Sequence, residues 1–302
     1  MPKWLIYSTV SMLIWATWSL LSPIASRDLS GSMIQILSSV GLIPFAVPLL
    51  FSKNLKKGTH LGKGLLLALA TGIGAGTGNI MLYNALGYNG PASLVFPISG
   101  MAPLVPVLAA PLLFKEKIRG IQVFGIGVAL IAILLLNTSP SSPSEGLAVS
   151  LFSKWMLYTL LSLVIFGVTF ITQKGATYFI SDQLSVVGFT VGFILLDLVL
   201  LLTDSSLSWN IPVTAGWVSI FIGILMGGGS FTLFAAYRHG KASIVTPYSQ
   251  LFPVITVLVA VPVYHETIDV LRGIGIVAAL SAGVILSIEK TESPVVLETA
   301  GG

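Results

Sequence analysis

The sequence predicts an all-α membrane protein of about ten transmembrane helices in two inverted five-helix repeats. Three observations carry that prediction: the hydropathy, the spacing of the apolar runs, and an internal repeat. Of the 302 residues, 55% are hydrophobic and only 9% are charged, and the mean hydropathy is +0.96. A soluble domain is typically about 25% charged, so the composition alone places the chain in the bilayer. There is no cysteine, which removes a disulfide framework and a thiolate metal site.

A helix needs roughly 20 mostly apolar residues to cross the hydrocarbon core. Runs of that kind fall near 3–22, 32–51, 64–87, 91–114, 120–136, 154–173, 184–203, 214–237, 241–263 and 272–288. Gly and Pro inside several of them do not argue against helix, because both are commoner in membrane helices than in soluble ones. The first run is longer than the apolar core of an ordinary signal peptide, so it is expected to be retained. The longest polar linker, NTSPSSPSEG at 137–146, divides the chain into near-equal halves. The expected organisation is a first repeat over 1–138, an extracytoplasmic linker over 139–152, a second repeat over 153–289 and a mobile cytoplasmic tail over 290–302.

The charges orient the spans. With the N-terminus inside and strict alternation, Lys3, Lys53, Lys56, Lys57, Lys63, Lys115, Lys117, Arg119, Lys174, Arg238, Lys241 and Lys290 fall inside. Arg27, Lys154 and Arg272 fall outside. Basic residues concentrate on cytoplasmic loops, so both termini are expected in the cytoplasm. The same asymmetry explains the net charge of +4 without nucleic acid.

The repeat appears on sliding the sequence by 150 residues. Ala85 then meets Ala235, Gly90 meets Gly240, Pro97 meets Pro247, Ser99 meets Ser249, Pro103 meets Pro253, Glu116 meets Glu266 and Gly125 meets Gly275. Apolar bias would not readily align the prolines and the glutamate together. At a shift of 151, Trp4, Tyr7, Ser11 and Ile14 meet Trp155, Tyr158, Ser162 and Ile165. With five spans per half, an odd number, the second copy enters the membrane from the opposite side. Inverted repeats of this kind hold a solute site near the midplane in many secondary transporters.

On these residues the chain resembles the drug/metabolite transporter superfamily, in its ten-helix EamA-like branch. The resemblance lies in YNALGYNGPASLVFPISGMAPLVPVLAAPLLFKEKIRGIQVFGIGVAL (83–130) and in its second copy over 235–280. It rests on a small-residue helix end, Ala-Ser, a helix with two spaced prolines, a Glu after it, then a Gly-spaced helix. WATW at Trp15 to Trp18 looks like the family's aromatic start. The resemblance implies a carrier of amino acids, other metabolites, nucleotide sugars or toxic cations, running without ATP and without a cofactor.

Candidate site residues follow from polarity at depth. Asp197 stands alone in GFILLDLVLLL, and a charge there costs roughly 3 kcal/mol on insertion scales. Gln183, Thr190, Asp197 and Asp204 recur every seven residues and make one helical stripe. The first copy carries Ala46 where the second has Asp197, so the shared fold does not need the acid. Asp197 reads as a proton-coupling or cation-attracting group; the structural alternative is a hydrogen-bond partner or a wet helix end. Asn79 and Tyr83, four apart, are candidates for a solute cavity or for interhelical hydrogen bonds. Pro97 and Pro247, with Ser99 and Ser249, suit a kinked gating helix or a bend that shapes the bundle, since proline frees the carbonyl one turn earlier. Tyr248, Ser249 and Gln250 make the denser polar cluster, so solute contacts are placed nearer the second copy. Trp15, Trp18 and Phe166 could stack on a ligand or simply pack. Glu116 and Glu266 read as matched gate or helix-cap carboxylates. His60, His239 and His265 fall in loops without ligand spacing, so no metal is expected. An intramembrane enzyme would need a nucleophile and base, or a metal set, at depth, and the sequence offers none.

The function expected is a secondary transporter moving a small organic solute by alternating access, in the direction of export, with protons as a coupling ion. The alternative is a facilitative pore or uniporter. The partners are the solute and the lipid bilayer, with the chain a monomer or a homodimer. The expected location is the bacterial inner membrane.

Overall fold

The computed structural model describes residues 2–105, 108–109, 120–136, 153–205, 207–239, 245, 248–249, 251–266 and 268–286. Ten helices lie among them. The first five are α1 (Lys3–Ser26), α2 (Gly31–Leu50), α3 (Leu61–Gly87), α4 (Ala92–Ser99) and α5 (Gly120–Leu136). The second five are α6 (Lys154–Thr177), α7 (Asp182–Thr203), α8 (Val213–His239), α9 (Phe252–Tyr264) and α10 (Val270–Leu286). No strand occurs among the described residues, only an isolated bridge between Gly58 and Ile180. Six helices, α1, α2, α3, α6, α7 and α8, are long and apolar enough to cross a membrane. Glu116, Pro247 and Gln250, with the linker and the tail, lie outside the described residues.

The sequence repeat reappears in local structure. α1 and α6 each have 24 residues, and α3 and α8 each have 27. Ser30 caps α2 by accepting from the Met33 amide, and Ser181 caps α7 by accepting from the Leu184 amide. Both cap and donor are shifted by 151. A side-chain oxygen at this position satisfies an amide that the helix itself cannot.

Packing repeats too. α1 packs on α8 as α6 packs on α3, and α2 packs on α8 as α7 packs on α3. α5 meets α10 and α2 meets α7, each contact being its own counterpart, and α4 also packs on α9. The close crossings rest on glycines. A Cβ on Gly41 would strike the Ile220 carbonyl, and one on Gly192 would strike the Leu69 carbonyl. A Cβ on Gly223 would strike the Ser38 carbonyl, and one on Gly72 the Phe189 carbonyl. Every member of these contacts has its counterpart 151 residues away. Backbones that touch in this way gain van der Waals contact, which is the main force between helices in lipid.

The two halves run in opposite directions. At one end of the bundle the Arg27 guanidinium lies over the Tyr264 ring, and Lys154 lies over the ring of Tyr88. There α1 finishes and α6 begins. At the other end Tyr7, near the start of α1, stacks on His239 at the close of α8. The α2–α3 loop likewise meets the α6–α7 loop, with the Ser181 amide donating to the Lys57 carbonyl.

One expectation is corrected. The run 91–114 reads as a single continuous helix, but α4 stops at Ser99 and the chain turns through Gly100–Pro103. Pro97 and Pro103 lack the amides that a continuous helix would use. The bonds tighten instead to i→i−3: Met101 to Ile98, Ala102 to Ser99 and Leu104 to Met101. The second half does the same. Tyr248 and Ser249 are helical, Leu251 is in a turn, and α9 begins at Phe252 rather than continuing from 241. Leu251 donates to Tyr248 and Val254 to Leu251, each the counterpart at 150 of a bond in the first turn. Such breaks at membrane depth occur where the backbone is covered by protein or lines a cavity.

Candidate functional site

Trp18 is the centre of an aromatic cluster between the halves. Its ring makes edge contacts with Trp15, Tyr83, Phe96 and Phe252, at centroid separations of 5.6, 6.5, 5.5 and 6.4 Å. Contacts of this geometry are worth about 0.5–1.5 kcal/mol each beyond burial. Its Nε1 donates to the Tyr83 hydroxyl at 3.1 Å. The Tyr83 oxygen and Asn79 Nδ2 both reach Met226 Sδ on α8, at 4.0 and 3.8 Å. Asn79 and Tyr83 therefore do share a face. The cluster draws on α1, α3 and α4 of one half and on α8 and α9 of the other, and it abuts the break in α4. Below it, Ser19 shares a hydrogen bond with Thr256 of α9. Phe166 joins from α6, its ring lying against Gly78.

Other expected residues stand apart. Tyr248 shares a hydrogen bond of 3.0 Å with Thr9 and meets the Trp4 ring edge-on. Thr9 is nine residues before Trp18, on the order of 14 Å along α1. Tyr248 thus belongs to the opposite end of the bundle from Arg27. Ser99 donates to its own helix at Phe96, and Ser249 has a buried hydroxyl without a partner.

Glu266 lies across the halves. Its two carboxylate oxygens accept from the Ala92 and Ser93 amides at 2.7 and 3.0 Å. The residue before α4 is Pro91, which makes no side-chain cap. The glutamate supplies the missing acceptor, and a negative charge suits the positive end of the helix dipole. Beside it the Tyr264 hydroxyl donates to the Leu20 carbonyl, under the Arg27 guanidinium.

Asp197 is only 7% exposed. It faces α2, where Gln35 and Ser39 stand at the edge of hydrogen-bonding reach of its carboxyl group. One carboxyl oxygen, Oδ1, is buried without a partner, as is Oε1 of Gln35. Thr190 is buried on the same stripe, which therefore looks into the bundle rather than at lipid. Gln35, Ser39, Met226 and Tyr264 escaped the sequence reading, which took Arg27 only as an outside charge. A glutamine with a serine one turn later, inside an apolar span, was the available signal for the first two.

Among the described residues no group of three His, Asp or Glu side chains could hold a metal. The chain is similar to several proteins already known. It is 25% identical over 195 residues to an uncharacterized transporter of Helicobacter pylori, covering 63% of each chain. It thus spans under two thirds of that relative's length. It is 24% identical over 256 residues to an uncharacterized transporter of Clostridium kluyveri, covering 84% of this chain and 81% of the relative. A solved crystal structure matches with a TM-score of 0.61 and 15% identity over 94% of this chain and 96% of that one, a likeness of fold alone. The family model of the EamA-like transporters matches residues 2–138 and again 153–288. With apolar helices of spanning length and this match over both halves, the chain is an integral multi-pass membrane protein that belongs to the EamA-like transporter family.

Proposed function

We propose that the protein is a secondary transporter that moves a small organic solute by alternating access, as an exporter of an amino acid, another metabolite or an organic cation. The observation that carries this reading is the exchange symmetry of the helix contacts. A bundle whose two halves make equivalent contacts has an equally packed partner state in which the halves trade conformations. In this reading the structure is one of those arrangements, with the Arg27 end tied by Glu266 and Tyr264. Rocking would open this end and close the other around the aromatic cluster. Trp15, Trp18, Asn79 and Tyr83 are the solute contacts in this reading, reached when α4 and α9 flex at their paired breaks. Glu266 and Pro97 are the gating elements. The aromatic faces suit a flat or cationic solute.

Two five-helix repeats within 1–138 and 153–289 would place both termini in the cytoplasm, in a bacterial inner membrane. Asp197 is the coupling residue in this reading, because its acid has no counterpart at Ala46 and no basic side chain in the span to neutralise it. Purified protein in proteoliposomes tests the whole. Trans-stimulated counterflow of a transported solute is expected, and non-saturating conductance would sink the carrier reading in favour of a pore. With a carrier in hand, Asp197→Asn is expected to lose uphill transport driven by a proton gradient while keeping counterflow. Undiminished uphill transport in that variant would refute the coupling role.

A further inference from the structure

The Asp197 carboxyl group is surrounded by helices that bring no charge to it. α2 contains no ionisable residue at all. In α3 the ionisable residues are Lys63 in the first turn and Tyr83, whose hydroxyl is engaged by Trp18. In α6 they are Lys154, Tyr158 and Lys174, and in α8 Tyr237, Arg238 and His239, all in or next to the terminal turns. On α7 itself Asp182 opens the helix and Asp204 follows its end. What faces the acid is a neutral amide. Gln35 is fully buried, its Nε2 is 3.4 Å from Ser39 Oγ, and its Oε1 has no partner. Across from it α3 offers Gly76, where a Cβ would lie 3.2 Å from Nε2. The amide therefore sits in a slot that a larger residue at 76 would close.

Two buried oxygens without partners, Oδ1 of Asp197 and Oε1 of Gln35, belong to side chains that meet between α7 and α2. A carboxylate needs a donor and a carboxylic acid needs an acceptor. A glutamine amide carries one of each at its two ends, and a serine hydroxyl can rotate to serve either. We propose that Gln35 is the positioning partner of Asp197 and that its amide turns over with each protonation. When the acid is ionised, Nε2 and the Ser39 hydroxyl donate to its oxygens. When a proton adds to Asp197, the new O–H donates to Gln35 Oε1. One O–H bond forms on the carboxyl as one breaks in a hydronium ion of the water outside, and release reverses the exchange. Because Gln35 is on α2 and Asp197 on α7, the two elements that face each other across the halves, the same exchange ties protonation to the α2–α7 contact.

The proposal rests on the reading that Asp197 takes up a proton, and the test separates the two. Full-length protein in lipid nanodiscs is titrated with acid under infrared difference spectroscopy. The carboxylic C=O band lost in Asp197→Asn belongs to Asp197. With Gln35→Leu, and separately with the length-matched Gln35→Met, this band is expected to move to higher wavenumber, as a carbonyl does when the acid no longer donates a hydrogen bond. Gradient-driven uptake is expected to fall at least about tenfold in both, from loss of a hydrogen bond to a charged group, with counterflow retained. A band present but unmoved in either folded variant overturns the role of Gln35 and leaves Asp197 protonation standing. No band lost in Asp197→Asn overturns both. A carboxyl that stays ionised while sodium ions raise the thermal stability of the wild type, and not of Asp197→Asn, also overturns the proposal, in favour of a cation site.

Discussion

At the scale of single residues, the hydrogen bonds of the aromatic cluster and of the Arg27 end can be tested one at a time. Tyr83→Phe removes the acceptor of Trp18 Nε1 and leaves a buried N–H without a partner, which costs about 1–3 kcal/mol. The expected outcome is a lower unfolding midpoint in detergent, read by fluorescence of Trp18 and its neighbours. Retained stability in Tyr83→Phe would mean that the indole finds another acceptor. Glu266 makes a different kind of contact, since its loss frees the start of α4 rather than a core side chain. With no native cysteine, a single one can report on this. A cysteine at Ala92 is expected to react faster with an impermeant thiol reagent in Glu266→Ala than in Glu266→Gln, whose amide oxygen still accepts. Equal rates in the two variants would show that the carboxylate does not hold α4.

At the scale of elements, the glycines separate contacts from mere composition. Gly41 and Gly223 bring α2 and α8 together backbone to backbone, and Gly72 and Gly192 do the same for α3 and α7. Gly223→Ala is therefore expected to lower stability by about 1–3 kcal/mol, the usual cost of forcing atoms into a packed site. Gly127 is the contrast: it is helical, and a Cβ there meets nothing within 4 Å. Gly127→Ala is expected to be neutral or stabilising by up to about 1 kcal/mol, through helix propensity. Thermal unfolding of the pair in one detergent checks both signs. Gly72 and Gly223 stand in small-residue runs, GIGAGTG (72–78) and GILMGGGS (223–230), but the sequence does not show which members cross. That depends on which face of each helix meets which neighbour, and lipid and protein faces are equally apolar here. The same ambiguity hid Gln35. Its partner, Asp197, is 162 residues away, so no local spacing announces it. Asp197 stood out because a lone acid in a hydrocarbon run is costly wherever it faces. The break after Ser99 was half legible: Pro97 and Pro103 mark a weak point, yet their removal of amides does not say whether the helix kinks or stops. The paired turns answer that, because the same i→i−3 bonds form in both copies.

At the scale of the whole molecule, the symmetry makes a claim that no single residue can make. If the halves exchange conformations, then fixing one end of the bundle must stop the cycle even though no solute contact is touched. The Glu266 carboxylate and the Ala92 amide, 2.7 Å apart, mark the place. Both lie at the end where Arg27 covers Tyr264, and both are remote from Trp18 in the chain. A chain without cysteine lets two be placed there alone, as Ala92→Cys with Glu266→Cys. Joining them with a short bifunctional thiol reagent is expected to abolish counterflow, and cleaving the linker is expected to restore it. Each single cysteine treated in the same way controls for modification of the end itself. A pore needs no exchange of conformations, but a pore whose mouth lies at this end would also be blocked, so the binding of solute decides. In a carrier locked at this end the site still faces the opposite side, and solute still protects a cysteine placed at Asn79 from reagents entering there. Continued counterflow in the locked protein would refute alternating access through this end, whatever the solute turns out to be.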